Sequence, residues 1–151
     1  MRRKEKEITD KAQMEDILAR TNVLRLAMVD GNEPYIVAMN FAYEAGCIYL
    51  HSAKEGRKID IIRNNNRVAF FADIHTEPVG DKVPCNYGMH FSSIFGTGFA
   101  VMVENHEDKI KGLDLIMKKH TGKSGFTYSE SALEKTVVIR LDVDQMTGKM
   151  A

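Results

Sequence analysis

The sequence lacks an excess of charge of either sign and any long apolar run. Its 21 Lys and Arg residues balance 21 Asp and Glu residues, so the formal net charge is zero. A balanced chain has no broad electrostatic footprint for nucleic acid or for an anionic membrane. No stretch approaches the roughly 20 apolar residues of a membrane-spanning helix. No apolar run follows the basic start MRRKEKE, so we expect no signal peptide and a cytoplasmic protein.

Cysteine is scarce, and the common catalytic motifs are missing. Cys47 and Cys85 are the only cysteines and form no CxxC pair. One disulfide could form between them, but we expect free thiols in a reducing cytoplasm, with Cys85 buried or lining a pocket. GxSxG, GxxxxGK[ST] and GxGxxG patterns are absent. Cys47, His51, Cys85 and His90 match no compact ligand spacing, so we expect no metal site.

What the sequence does contain is a succession of β-prone segments. At 151 residues, 44% of them hydrophobic and 28% charged, the chain is expected to form a single domain over residues 1–151. Strands are predicted at residues 23–29, 35–43, 47–51, 68–73, 89–103 and 136–143. Helices are predicted after Asp10, over residues 57–64 and after Asn105. Because strands follow one another instead of alternating with helices, we expect a mainly antiparallel barrel with peripheral helices.

Glycine and proline mark irregular positions in this pattern. Gly96 and Gly98 lie inside the longest predicted strand, where they indicate a β-bulge or a close approach by another backbone or a ligand. Residues 74–86 contain two of the three prolines and are predicted to form a long loop. A second loop is predicted over residues 120–131.

A polar turn, HSAKEGRK at residues 51–58, connects a strand to a helix. The first backbone N–H groups of a helix have no internal partners and attract anions. Gly56 permits a close approach, Ser52 offers a hydroxyl, and Arg57 and Lys58 add positive charge. The spacing therefore indicates an anion site, and it leaves open a solvated turn with two surface cations.

This turn belongs to the segment YLHSAKEGRKIDIIRNNNRVAFF, which resembles the pyridoxamine 5′-phosphate oxidase-like superfamily of flavin-binding split barrels, most closely its nitroimidazole-resistance (Nim-type) branch. Four further segments match that branch: MRRKEKEITD, PYIVAMNFAYEAGCIYLHSAKEGRK, CNYGMHFSSIFGTG and VVIRLDVDQMTGKM. The resemblance covers essentially the whole chain. It implies a six-stranded antiparallel split β-barrel, mainly β with peripheral helices, that forms a homodimer with flavin mononucleotide (FMN) in the interface.

The resemblance also implies which residues bind FMN. Ser52, Arg57 and Lys58 would hold the phosphate, and Ser93 would reach the flavin of the partner subunit. The strand beside the isoalloxazine ring and ribityl chain would be formed by Val37, Ala38, Met39, Asn40 and Phe41. The family often carries a cation near the last two of these positions, and this chain has none there.

His51 matches the histidine that faces the active site in Nim-type proteins, which implies that its strand ends there. Because histidine exchanges its proton near neutral pH, we predict that His51 is the catalytic residue and also contacts the cofactor. A histidine that only helps to form the flavin pocket is the alternative.

The function that the resemblance implies is FMN-dependent reduction of a small acceptor, such as a nitroimidazole or another nitroaromatic, with NADH or NADPH as the donor. The alternative is a protein that binds flavin or haem without turnover, with His51, His75 or His90 as a haem ligand. Oxidation of pyridoxamine phosphate is disfavoured because the segment MTGKM lacks the family's extended substrate-binding tail.

Overall fold

The computed structural model describes residues 3–151, with the exception of the side chain of His75. Over these residues the chain forms seven β-strands and four α-helices. The strands are β1 (Glu7–Ile8), β2 (Val23–Asp30), β3 (Glu33–Glu44), β4 (Cys47–Ala53), β5 (Arg67–Val79), β6 (Gly88–Val103) and β7 (Thr136–Met150). The helices are α1 (Lys11–Arg20), α2 (Arg57–Asn64), α3 (His106–Thr121) and α4 (Glu130–Lys135).

The strands form one antiparallel sheet that closes on itself. Their order is β1-β7-β4-β3-β2-β5-β6, and β6 also pairs with β7. The strand β7 pairs with β4 along one edge and with β6 along the other, so it joins the two ends of the sheet. The predicted mainly antiparallel barrel with peripheral helices is therefore confirmed.

Several boundaries differ from the prediction because strand pairing is not a local property. The strand β5 continues to Val79, inside the segment predicted as a loop, because it pairs with β6 beyond a register shift between Ile74 and Glu77. The strand β7 runs past its predicted end to Met150, since β6 is its partner throughout. The seventh strand, β1, pairs with Lys149 and Gly148.

The helices begin where the sequence places their caps. Oδ1 of Asp10 accepts the Ala12 N–H at 2.9 Å, and the Asn105 side chain caps α3. The helix α2 spans the predicted residues. The helix α4 was not predicted; the Ser129 side chain caps it by accepting from the N–H of Ala132.

The core fills the inside of the barrel. Phe41 and Phe70 are its largest fully buried side chains, and α1 and α2 add apolar residues to the same cluster. The residues from these helices are Met14, Ile17, Leu18, Ile59, Ile61 and Ile62. The helix α3 packs outside the barrel, where Leu113 forms a second cluster with Leu133 and Val138.

Gly96 and Gly98 allow β6 to approach its neighbours. A Cβ atom at Gly96 would lie 2.3 Å from the Phe70 ring, and one at Gly98 would lie 2.2 Å from the backbone oxygen of Asp142. The pairing of β6 with β7 also shifts register between Thr97 and Gly98. Both the bulge and the close approach that the glycines predict are present.

We expect Gly98→Ala to destabilise the protein by about 1–3 kcal/mol, the usual cost of overpacking a well-packed interior. The reason is that the new methyl group would meet backbone, which cannot rotate away. Urea unfolding followed by circular dichroism measures the change. Gly88→Ala is the matched control, because it lies in the same strand with nothing within 4 Å of the added atom. Equal stability of the two variants would contradict this prediction.

Candidate functional site

The sheet opens between β3 and β4. Residues 33–40 of β3 pair with β2, but β3 pairs with β4 only over residues 41–44. Beyond Leu50, residues 51–53 of β4 pair with β7 alone. In the described part of the chain, the edge of β3 that faces away from β2 therefore has no ladder partner over residues 33–40. Backbone N–H and C=O groups on that edge are available to a ligand.

The side chains of β3 alternate between the core and the open face. Met39 and Phe41 are buried in the barrel, and Val37 packs against the same core. Ala38 and Asn40 point the other way and are exposed. Of the five predicted residues, the two on the open face present side chains to a ligand, whereas the other three can offer only backbone groups.

The turn between β4 and α2 has the features of an anion site. Gly56 has a φ of 122°, a conformation that side chains disfavour. Its carbonyl accepts from the N–H groups of Ile59 and Asp60, and no side chain caps the helix. Within the described residues, the N–H groups of Arg57 and Lys58 are therefore left for solvent or a ligand.

Arg57 and Lys58 differ in how they are held. The Nε of Arg57 donates to Asp30 at 3.1 Å and its Nη2 to Glu33 at 3.2 Å, which raises the pKa of the guanidinium. The guanidinium also lies over the Tyr35 ring, 4.8 Å from its centroid. Lys58 is half-buried and, among the described residues, has no hydrogen-bond or ion-pair partner. The ammonium group of Lys58 is thus a cation that an incoming anion would find unpaired.

The prediction that the strand ends at His51 is wrong, because β4 continues to Ala53 through pairing with β7. Side chains therefore alternate through the turn. Ser52 lies on the side of buried Leu50, and His51 lies on the opposite side, with Tyr49. His51 lines a cavity of about 210 Å³ under α3 and α4. The other lining residues are Leu113, Ile116, Met117, Tyr128, Ala132, Leu133 and Thr136.

The surroundings of His51 disfavour its charged form. Desolvation lowers the pKa of the imidazole below its ordinary value of 6.5, and the nearby charges of His120 and Lys58 lower it further. His51 is therefore mainly neutral at pH 7 and acquires a proton only in acid. At neutral pH it can orient a polar ligand but is a poor source of protons.

Ser93 is buried, with an exposed fraction of 6%, and its hydroxyl lies 3.5 Å from the backbone oxygen of Lys149. It pairs with Lys149 of β7, whereas Ser52 pairs with Val137 of the same strand. Ser93 and Ser52 therefore lie towards opposite ends of β7.

An apolar face lies on the outside of β2, β3, β5 and β6. Ile36, Phe71 and Phe95 have exposed fractions of 64%, 39% and 50%. Together with Arg25, Ala27, Ala69 and Phe70 they line a shallow depression of about 270 Å³. Arg25, which pairs with Asp73, is the charged residue of this lining. Ala38 lies on the same face, directly across from Arg25, so the apolar face borders the open edge of β3.

Other candidate residues lie apart from this opening. Cys47 and Cys85 are free thiols, and Cys85 is exposed, which corrects the expectation that it is buried. The Nδ1 of His90 lies 3.1 Å from the backbone oxygen of Ala151, and the side chain of His75 lies outside the described residues. Within the described residues, no three His, Cys, Asp or Glu side chains are grouped as a metal site, and no helix is long and apolar enough to cross a membrane.

The sequence reasoning missed Lys119. Its ammonium lies 3.3 Å from the centroid of the Phe41 ring and donates to the Leu18 carbonyl at 2.9 Å. Burial lowers the pKa of this lysine to about 8. A cation thus does stand beside Phe41, but α3 supplies it, and no local pattern around residue 119 marks that contact.

Comparison with known families identifies the class of this protein. The sequence profile of the family described as pyridoxamine 5′-phosphate oxidase matches residues 10–150. The chain belongs to this family, as its sequence resemblance predicts. No curated protein matches the sequence significantly.

Solved structures support the same assignment. A candidate 5-nitroimidazole antibiotic resistance protein from Bacteroides thetaiotaomicron is 36% identical, with a TM-score of 0.86 over 95% of this chain and 85% of that one. A flavocytochrome from Azotobacter vinelandii has a TM-score of 0.86 at 16% identity, covering 100% of this chain and 72% of that one. A protein from Mycobacterium smegmatis that binds FAD and haem has a TM-score of 0.87 at 14% identity, covering 97% and 73%. The last two share the fold alone.

Proposed function

We propose that this protein is a cytoplasmic FMN-dependent reductase that uses NADH or NADPH to reduce a small acceptor, such as a nitroimidazole or another nitroaromatic. The observation that carries the proposal is the opening between β3 and β4, beside a helix start and a Lys58 that have no side-chain partner among the described residues. The acceptor class rests on the 36% identical relative, described as a candidate 5-nitroimidazole resistance protein. FMN, when bound, supplies the electron transfer between the nicotinamide and the acceptor.

The residues around the opening fit a phosphorylated flavin. The N–H groups at the start of α2, the Lys58 ammonium and the Ser52 hydroxyl can hold a phosphate. Nε and Nη2 of Arg57 bind carboxylates, and among the described residues its Nη1 has no partner, so it can add a further donor. The unpaired edge of β3 offers backbone groups to the polar side of a flavin ring, and the small Ala38 leaves space above it.

We expect Lys58→Ala to weaken FMN binding by about tenfold or more, since a charge-assisted hydrogen bond contributes about 1.5–3 kcal/mol. Arg57→Ala should cost less, because Arg57 is already paired with Asp30 and Glu33. Titrations followed by flavin fluorescence measure both affinities. Lys82→Ala, which removes an exposed lysine elsewhere, is the charge-matched control.

Binding of riboflavin shows whether Lys58 contacts the phosphate or another part of the cofactor. Because riboflavin lacks the phosphate, its affinity should barely change in Lys58→Ala. If Lys58→Ala binds FMN as tightly as the Lys82→Ala control does, the turn does not hold the phosphate.

His51 is proposed to act on the acceptor side. Its lowered pKa means that few molecules carry the proton at pH 7 and that more carry it as the pH falls. A proton donated by His51 to the reduced acceptor would therefore make acceptor reduction faster in acid. A histidine that only shapes its cavity would give no such dependence.

We expect His51→Ala to slow acceptor reduction by about 10²–10⁴ in acid, the usual contribution of a proton donor, and to flatten its pH dependence. Reduction of the flavin by NADH or NADPH should change little. Anaerobic stopped-flow measurements of both half-reactions, from about pH 5 to about pH 8, test this. Equal slowing of both half-reactions would make His51 structural. Bound flavin or haem without reduction by either nicotinamide would favour the non-catalytic alternative.

The site is proposed to be completed by a second copy of the chain. Ser93 lies towards the opposite end of β7 from Ser52, and the exposed apolar face beside β3 is of the kind that marks an interaction site. A dimer that packs these faces together would bring the Ser93 of one copy towards the open edge of the other.

We expect the wild-type protein to sediment at twice its 17.0 kDa chain mass. Ile36→Lys combined with Phe95→Lys should give a monomer with weakened FMN binding, because both charges would be buried unpaired in the interface. Val83→Lys, at another exposed apolar position, is the control and should remain dimeric. A monomeric wild type that binds FMN would overturn the shared site.

A further inference from the structure

A second cavity lies at one end of the barrel, apart from the opening between β3 and β4. It has a volume of about 370 Å³. The end of β6 and the start of β7 form one wall. The helices α2 and α3 and the loop that follows β4 form the rest. Its lining residues are Lys54, Arg63, Met102, Val103, Glu104, Lys109, Thr136 and Val137. None of the predicted FMN-binding residues is among them.

The lining carries three cations and one carboxylate. Lys109 is buried, with an exposed fraction of 8%, and its ammonium donates to the backbone oxygen of Leu133. In the described part of the chain, neither Glu104 nor any other carboxylate forms an ion pair with Lys109 or Lys54. A buried ammonium without a counter-ion is costly. Positive charge thus exceeds negative charge among the residues that line this concave site.

The remaining contacts do not neutralise this charge. Arg63 lies 3.7 Å from Asp60, but both side chains are well exposed, and such pairs contribute little. Lys54 is exposed at the rim and, among the described residues, has no ion-pair partner. Burial lowers the pKa of Lys109, and the nearby charge of Lys54 lowers it further.

We propose that this cavity binds a small molecule that carries a phosphate monoester, with the phosphate held by Lys54, Arg63 and Lys109. Two lysines and an arginine provide the donors that a dianionic phosphate needs. The cavity is larger than a phosphate group, and Met102, Val103 and Val137 supply apolar surface for a compact organic body. The Thr136 side chain adds a polar group at the start of β7.

This site is distinct from the proposed FMN phosphate site. Arg63 follows Arg57 by six residues, which at 1.5 Å per residue places it about 9 Å further along α2, in its last turn. The carbonyl ends of a helix repel anions, so an anion near Arg63 depends on side-chain cations, unlike one at the start of α2. The proposal does not rest on the reductase function.

Phosphate titrations of the Lys58→Ala protein test the proposal without a contribution from the Lys58 ammonium. We expect inorganic phosphate and glycerol 3-phosphate to bind saturably, with shifts of the backbone amide resonances of Val103, Lys109 and Thr136 in NMR spectra. Glycerol and sodium chloride at matched ionic strength should produce none of these shifts. Adding Lys54→Ala and Arg63→Ala, both at exposed positions, should weaken phosphate binding about tenfold or more.

The control adds Lys82→Ala and Lys123→Ala instead, which removes the same net charge from exposed sites outside the cavity. It should bind phosphate as tightly as the Lys58→Ala protein. If both sets of variants bind phosphate equally, or if sodium chloride reproduces the shifts, the cavity is not a phosphate site. Thermal unfolding without phosphate checks that the variants are equally stable, so a loss of binding reports on the site.

Discussion

The rest of the structure depends on the pairing of β7 with two strands at once. By pairing with β4 as far as Ala53, it holds the end of β4 in place without help from β3. The strand β3 can then stay apart from β4 before Phe41, and the gap opens beside the start of α2. On its other edge β7 closes the barrel against β6, at a distance that requires glycine at positions 96 and 98. The candidate site thus exists because β7 alone pairs with the end of β4, where β3 would otherwise pair as well.

Local chemistry made part of this fold predictable. Asp10 and Asn105 cap helices as their side chains suggest, and α2 follows from its apolar spacing. The extension of β5 beyond Asp73 was not predictable, because prolines and polar residues hide a strand whose stability comes from β6. The same holds for the second half of β7. Pairing between distant segments determines how far these strands extend, and a short stretch of sequence does not predict that pairing.

The sequence indicates residues for the candidate site but not how they are arranged relative to one another. The turn at residues 51–58 identified Ser52, Arg57 and Lys58 from residue type and spacing. It could not show that Asp30 and Glu33 form ion pairs with Arg57. Nor could it show that Lys58 has no such partner among the described residues. It also suggested a strand end at His51, whereas β7 continues the strand and turns the imidazole towards α3. The cations of the second cavity come from three separate segments and form no motif.

The position of β7 after both of its partner strands, β4 and β6, has a consequence for synthesis. The strands β2, β3 and β4 can pair as they leave the ribosome, and β5 can add to β2. Until the 15 residues of β7 follow, β4 and β6 each keep an edge without its final partner. Unpaired edges recruit strands from other chains, and contacts between distant segments form slowly. The yield of native protein in a cell therefore depends on how soon translation delivers the last strand, as well as on the stability of the finished barrel.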